Sequence, residues 1–576
     1  MLQERIQKHF KLPIEFATNV YKTPKNLVED LELEKTIGDI SDNTIYNFLL
    51  RPKTRFGKNG IMQWISHYTT DIKFLQNHQN LVAKFSNQNS EKDDHSTEHA
   101  WMSYQNIKED DSFIDKYQYL NWDKLKFLNK STLFLAIMSM YSIVSPALNL
   151  LAPLLLLLIP FLLLKFKGLP VTLSAYIRIL MVSIKNHSFG KLITQWEILP
   201  WGQRIYLLLM VGMYVYNIYQ NALSCYQFYK NSYTINQDIK NIKHHLFNSR
   251  EKLGSFIANI SNYESFTPYR KYLQNKLEKV DTLYQELNGL PLASFNPKKI
   301  PLLGYTMKQY YLLYESEEIE ETLLFTFGFH GYMEKLGSIH SLYKTKVLTK
   351  SKFSNSVKPK ISMKAAYYPT IVSDDVIRNN VSLKANKLIT GPNASGKTTL
   401  LKTVTTNLLL TQQIGFGFYK KATITPFNHI HCYLNIPDTS SRDSLFQAEA
   451  RRCLDIIQTI DSNREDKHFC IFDELFSGTN PYEAISSAQA YLQYISEIRN
   501  VRFMLTTHFI QLCDQLDSHR NIENINMNTT IVDDIPEYKY KICKGISKIK
   551  GGITVLKELG YPDDIIDKTR KIVNNF

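Results

Sequence analysis

The segment that most restricts this chain is Gly391-Pro392-Asn393-Ala394-Ser395-Gly396-Lys397-Thr398-Thr399. It follows the apolar pair Leu388-Ile389 and runs into Leu400-Leu401-Lys402-Thr403-Val404, an order that predicts strand, tight turn and helix. Glycines at both ends of the turn let backbone N–H groups converge on a phosphate, and the N-terminus of the following helix adds a favourable dipole. In that setting Lys397 bridges the β- and γ-phosphates, and the Thr398 hydroxyl is a ligand for Mg²⁺.

Two further segments complete the chemistry. Phe469-Cys470-Ile471-Phe472 reads as a short apolar strand that ends in Asp473 and Glu474. A carboxylate at a strand end beside a phosphate loop can hold Mg²⁺, which is the role expected of Asp473. Glu474, the next residue, is placed to polarise an attacking water. A third strand, Val501 to Leu505, ends in Thr506-Thr507-His508, and His508 is the expected sensor of the γ-phosphate. Strands that all carry chemistry at their C-terminal ends predict a mostly parallel α/β sheet. ATP and Mg²⁺ are the implied ligands, and ATP hydrolysis the implied reaction.

These residues resemble the ATPase domain of the MutS family, a branch of the ABC-type ATPases. Gly391-Pro392-Asn393 with Gly396-Lys397-Thr398 is similar to that family's GPNxxGK[ST]. Asp473 to Thr479 is similar to its DExxxGT, with Phe476 and Ser477 where Arg-Gly is usual. Thr507-His508-Phe509, Asn379-Asn380-Val381, Gln413-Ile414-Gly415, Gly545-Ile546-Ser547, Gly552-Ile553 and Gly560-Tyr561-Pro562 extend the likeness. The segment that resembles the trans-acting signature contains Ser444, Phe446 and Glu449, with Arg442 in place of a usual glycine. Val376 stands where an aromatic residue often stacks on adenine. The likeness covers 355–576. It implies a composite ATP site in a homodimer, a C-terminal dimerisation helix and a DNA-related role. A weaker likeness to the family's helical core spans Thr54 to Leu81 and 305–350.

Outside this region, hydrophobicity is the leading feature. No charged residue occurs from Ser131 to Leu164, a stretch that would extend about 51 Å as one helix, against about 30 Å of bilayer hydrocarbon. It is expected either to span in part, from Pro146 onward, or to form a hairpin near Ser145-Pro146. A second uncharged stretch, Ile205 to Tyr229, is rich in Tyr, Asn and Gln and is open to spanning or to lying at the interface. Between them lie Lys165, Lys167, Arg178, Lys185, Lys191 and Arg204 with the single acid Glu197, which predicts a cytosolic loop. The whole-chain mean hydropathy of -0.25 conceals this segment.

The expected organisation is therefore an N-terminal segment (1–42), the first part of a helical core (43–130), a hydrophobic membrane region (131–229), a helical lever with the second part of the core (230–354), and the ATPase domain (355–576). In fold class this is an α/β P-loop ATPase domain of ABC/MutS type preceded by an all-α region with inserted transmembrane helices. Ile235, Ile239, Ile242, Leu246, Leu253, Ile257 and Ile260 predict one amphipathic helix, and Leu273, Leu277, Val280, Tyr284 and Leu287 a second after Thr267-Pro268. Segment 88–112 reads as a polar loop. The six cysteines lack CxxC spacing and point to a reducing compartment, and His429, His431 and Cys432 read as a packed strand rather than a metal set. A net charge of +14 suits a polyanionic partner, DNA or an anionic membrane face. Two functions follow: an ATP-driven switch that moves helical arms on DNA, or a membrane-anchored ATP switch acting on lipid or protein, with its ATPase domain in the cytosol.

Overall fold

The computed structural model describes residues 2–34, 44–85, 91–168, 172–186, 196–198, 200–290, 300–369, 376–434, 445–532, 535–549, 553, 556–557 and 559–573. The chain divides into two compact units. One comprises 1–90, 252–277 and 324–576, the other 91–251 and 278–323.

Among the described residues the first unit holds three sheets. Its strands are β1 (Val20–Lys22), β2 (His67–Thr69), β3 (Thr349–Phe353), β4 (Ile361–Ala366), β5 (Asn379–Leu383), β6 (Asn386–Thr390), β7 (Phe416–Gly417), β8 (Lys421–Ile424), β9 (His429–Tyr433), β10 (His468–Asp473), β11 (Val501–Thr506), β12 (Ile522–Val532) and β13 (Ile535–Lys544). The main sheet runs β13-β12-β6-β11-β10-β9. Its strands are parallel except for β13, which pairs antiparallel with β12. Strands β6, β10 and β11 carry adjacent apolar residues that are buried on both faces of the sheet: Leu388, Ile389, Phe469 to Phe472 and Phe503 to Leu505 are fully buried. A second sheet, β5-β4-β8-β3-β7, is mixed, and β1 and β2 form a separate antiparallel pair.

The helix Lys397–Ile414 connects the turn after β6 to β7 and is buried along most of its length. Most of the buried polar residues along it are held by specific partners, although the Thr406 hydroxyl is not. Gln412 exchanges hydrogen bonds with the Phe427 backbone at 2.8 and 2.9 Å. Gln413 donates to the Trp64 carbonyl at 2.9 Å and accepts from the Tyr46 hydroxyl. Gly415 ends the helix at φ +83, and a Cβ there would lie 2.6 Å from the Gln79 side chain and 2.9 Å from the Leu75 carbonyl. Glycine is thus needed both for the left-handed turn and for the close approach of the helix Ile72–Lys84.

The second unit is helical. The helices Glu91–Lys108, Thr132–Phe166, Leu173–Asn186 and Ile300–Glu315 lie within it, and Trp201–Ile260 contributes its residues up to 251. Its core is aromatic: the Phe113 ring stacks on Tyr314 at 4.3 Å and packs on Tyr117, Tyr119 and Tyr310 at 5.1 to 5.6 Å, and Tyr117 meets Tyr310 at 5.0 Å. Asp238 is buried there and accepts a 2.9 Å hydrogen bond from the Tyr310 hydroxyl. Burial raises its carboxyl above the ordinary range, opposed by its hydrogen bonds with Ser103 and Tyr310.

Two expectations are corrected here. Residues 91–108 form a helix rather than a loop, because Thr97, Ala100, Trp101, Tyr104 and Ile107 line a buried stripe at helical spacing within an otherwise charged segment. The transmembrane helices and the membrane location are also overturned, and the membrane partner is left without support: among the described residues no helix is long and apolar enough to cross a membrane. The uncharged run from Ser131 is one helix through Pro146 rather than a hairpin, capped by the Ser131 hydroxyl. The start of the run is used for packing, since Leu135 and Ser139 are buried and Gly304 brings the helix Ile300–Glu315 against it. A neighbouring helix covers one face of its first turns, whereas Leu133, Ile137, Met140 and Tyr141 on the same turns are exposed. The second run lies in the helix Trp201–Ile260, interrupted by Asn217, Gln220, Asn221 and Gln227.

A Cβ at Gly304 would lie 2.1 Å from the Thr132 carbonyl oxygen and 2.6 Å from the Ala136 nitrogen. Backbone cannot retreat as a side-chain tip can, so Gly304→Ala is expected to destabilise the helical unit by about 1–3 kcal/mol. A lower urea midpoint for this variant checks it, and an unchanged midpoint would contradict the close packing.

Candidate functional site

The ends of β6, β10 and β11 place the expected residues side by side. The turn Gly391–Ser395 leaves β6 with Gly391 at φ +153 and Ala394 at φ +60, and Gly396 begins the helix at φ +91. The Lys397 ammonium donates to the carbonyls of Gly391 and Pro392 at 3.0 and 3.2 Å and lies 3.2 Å from His508 Nε2. Burial lowers its pKa, opposed by the charges of Glu474 and Asp473. The Thr398 hydroxyl donates to Asp473 Oδ2 at 2.8 Å, and the Thr506 hydroxyl donates to Oδ1. Thr399 is exposed on the same first turn.

Glu474 follows at φ +52, an uncommon conformation for a residue with a side chain. Its backbone N–H donates to the Thr506 carbonyl at 3.0 Å, and its carboxylate lies 3.0 Å from His508 Nε2. The hydrogen bond with His508 holds its carboxyl below the ordinary range, against a smaller opposing effect of burial. One imidazole nitrogen therefore faces both the lysine and the carboxylate. As N–H it donates to Glu474; as a lone pair it accepts from Lys397. His508 can serve one of them at a time.

The turn opens into a cleft of about 720 Å³, within the range of small-ligand sites. Its walls include Tyr368, Val376, Ile377, Met527, Tyr538 and Tyr540. Tyr540 lies over the loop, with its ring 3.2 Å from where a Cβ on Gly396 would be. The Asn379 side chain holds that strand in place, donating to the Tyr540 carbonyl at 2.9 Å and accepting from the Ile542 N–H at 3.0 Å. The residues fit a nucleotide with Mg²⁺: Ser395 Oγ is buried without a partner beside the turn, and Gly391 leaves room that a Cβ would fill 2.8 Å from that hydroxyl. Among these wall residues only Val376 stands out from sequence; Tyr538 and Tyr540 do not. Their period-two spacing in Glu537-Tyr538-Lys539-Tyr540 was the available signal.

The signature residues are placed less uniformly. Ser444 and Arg442 lie outside the described residues. Phe446 packs on Phe476 at 5.7 Å between ring centroids. Glu449 is buried, and its carboxylate accepts from Ser477 N–H and hydroxyl at 3.1 and 3.0 Å and from Gly478 N–H at 3.1 Å. It holds the turn after Glu474 within its own chain. His429, His431 and Cys432 lie on β9, and His468 on β10 stacks with both histidines at 4.7 and 5.4 Å. Ser547 N–H donates to the Thr390 hydroxyl at 2.8 Å, tying the segment after β13 to the end of β6.

Residues 387–576 match the family model of MutS domain V. The chain is 31% identical over 205 residues to the DNA mismatch repair protein MutS of Bacteroides fragilis, covering 35% of this chain and 23% of that protein. It is 28% identical over 189 residues to the protein of the same name from Streptococcus agalactiae (33% and 22%), and 26% identical over 222 residues to that from Persephonella marina (38% and 25%). The chain thus spans about a quarter of the length of these curated relatives. The matches, over about a third of the chain, support the MutS family for its C-terminal part.

Proposed function

We propose that this chain is a MutS-like ATPase that binds ATP and Mg²⁺ in the cleft beside Gly391–Thr399 and hydrolyses the γ-phosphate. Its ATP cycle drives conformational change of the helical segments, with a second copy of the chain and DNA as its partners. The observation that carries this is the meeting of Lys397, Thr398, Asp473, Glu474 and His508 at the C-terminal ends of three neighbouring strands.

Thr398 and Asp473 are the residues that would hold Mg²⁺, which when bound neutralises charge on the phosphate oxygens. The N–H groups of the turn and the Lys397 ammonium cradle the phosphates. Glu474, kept ionised by His508, accepts the proton of the attacking water. His508, shared between Glu474 and Lys397, couples the base to the residue that grips the phosphate. Tyr540 stacks on the base, taking the part that Val376 cannot. The signature segment with Ser444, Phe446 and Glu449 serves the nucleotide of the second copy. Glu449 contributes by fixing the turn at Ser477 and Gly478, which leaves contact with that nucleotide to the segment's N-terminal end.

The relatives named above are DNA mismatch repair proteins, and the +14 charge of this chain suits a polyanion. DNA binding is therefore part of the proposal, and reading of mismatches is not. The purified full chain should release phosphate from ATP only with Mg²⁺. Base–aromatic stacking is worth about 1–3 kcal/mol, so Tyr540→Ala should raise KM for ATP about tenfold with little change in kcat. An unchanged KM would remove Tyr540 from the base site. Binding to homoduplex that weakens steeply with salt supports the DNA role, and its absence at low salt would refute it.

A further inference from the structure

We infer that Asp30, far from the phosphate loop in sequence, is a positioning residue for Glu474, acting through Arg452 and Glu449. The inference rests on the ATPase reading above.

Asp30 ends the short helix Lys25–Asp30, which the apolar side chains of Leu27, Leu31 and Leu33 anchor with no exposed surface. Asp30 itself is 4% exposed. A carboxylate so buried must be paired, and Oδ2 accepts from Arg452 Nη2 at 3.0 Å and from the Leu434 N–H at 3.3 Å. Arg452 also donates from Nε and Nη2 to the Cys432 carbonyl at 3.2 and 2.9 Å. One guanidinium thus fixes the helix Leu445–Ser462 to the end of β9 and to Asp30 at once. The planar fork of arginine suits this double attachment, where a lysine would supply a single point of contact.

The same helix also reaches the catalytic turn, through Glu449. Glu449 lies one helical turn before Arg452, and its three hydrogen bonds hold Ser477 and Gly478. A Cβ on Gly478 would lie 2.8 Å from Leu445 Cγ and 2.8 Å from the Phe446 nitrogen. Helix and turn are therefore in direct contact with no slack, and a shift of one displaces the other. The turn begins at Glu474, whose φ of +52 and Phe476 φ of +58 are conformations that persist only when their surroundings impose them. Asp30 supplies part of that imposition, through a chain of contacts that touches no substrate. Glu32, two residues on, pairs with Lys402 on the phosphate-loop helix at 2.9 Å, so the segment grips both sides of the site.

The test compares the full chain with Asp30→Asn, Arg452→Lys and the double variant. Displacement of catalytic groups by about 1 Å can cost about a hundredfold, so each single variant should lower kcat by about tenfold or more. KM for ATP should stay near the wild-type value, because the phosphate loop is untouched. The double variant should be no worse than either single one, since both break the same path. Amide exchange at Ser477 and Gly478 should quicken in Asp30→Asn. Arg452→Lys retains the charge facing Asp30 and loses only the fork, so it tests the path even where Asp30→Asn unfolds. A folded variant with unchanged kcat, additive losses in the double variant, or unchanged exchange at Ser477 and Gly478 would each overturn the inference. A wild-type chain that does not hydrolyse ATP would refute the ATPase reading instead, and the exchange result alone would then decide the path from Asp30.

Discussion

Glu474→Gln is expected to bind ATP as the wild-type chain does and to hydrolyse it about 10²–10⁴-fold more slowly, the usual contribution of a positioned general base. The substitution keeps the shape of the side chain and an oxygen for His508 while removing the basic carboxylate. Two features fix what is lost. The hydrogen bond with His508 holds the carboxyl below its ordinary range, so it stays ionised wherever the protein is folded near neutrality. The left-handed backbone at Glu474, tied by its N–H to Thr506, directs that carboxylate to the same place as Lys397 and Asp473. The pH dependence follows with its sign: a depressed carboxylate loses its charge only as pH falls through its lowered folded value. Turnover above the ordinary carboxylate range therefore does not vary with protonation of Glu474. Phosphate release and equilibrium nucleotide binding, measured on the same preparation, separate the two effects. Wild-type turnover in Glu474→Gln would remove this residue from the role of base.

The residues proposed to bind phosphate stand out in the sequence because their chemistry is local. A turn of fixed length between strand and helix, and an acidic pair at a strand end, are set by contiguous residues, and the sheet brings β6, β10 and β11 together in the expected sense. What was not legible depends on partners distant in sequence. Tyr540 reaches the cleft only because β13 pairs with β12 and Asn379 clamps it. Gln413 stands out in sequence only as part of a motif, and its burial under Tyr46 and Trp64 depends on residues far from it in the chain. Asp30 belongs to no motif, and its burial against Arg452 is set by a partner far along the chain. The uncharged run from Ser131 shows the converse problem. Composition reports that a surface avoids water, and not whether lipid or another helix covers it; at Leu135 and Ser139 the cover is protein. In the charged segment 91–108, four lone apolar side chains were enough to bury a helix whose average composition is that of a loop.

Acid should weaken the first unit well before its ordinary carboxylates titrate, and His78 is one identifiable cause. It sits on the helix Ile72–Lys84 with 3% exposure, its ring packed on Phe74, and its Nδ1 lies 2.9 Å from the Ile414 carbonyl at the end of the phosphate-loop helix. Nδ1 carries the proton in that bond, and the imidazole is otherwise neutral. Burial lowers its pKa to about 4, offset in part by the hydrogen bond to Ile414. In the unfolded chain the same group titrates near 6.5. Between these values the unfolded state binds more protons than the folded one, so stability rises with pH across the window and falls as pH drops through it. At about 1.4 kcal/mol per unit, His78 alone removes about 3 kcal/mol between pH 6.5 and 4. His431, lowered to about 3 by burial and by its histidine neighbours, acts in the same direction. Depressed carboxylates such as Glu474 add their losses only at lower pH. Urea unfolding of the first unit at pH 7.5 and 5.0 should show a clear drop in midpoint, and His78→Gln, which has no proton to take up, should flatten the dependence. Equal midpoints at the two pH values would mean that His78 is charged or solvated in the fold, and the packing of the helix Ile72–Lys84 against Ile414 would have to be redrawn.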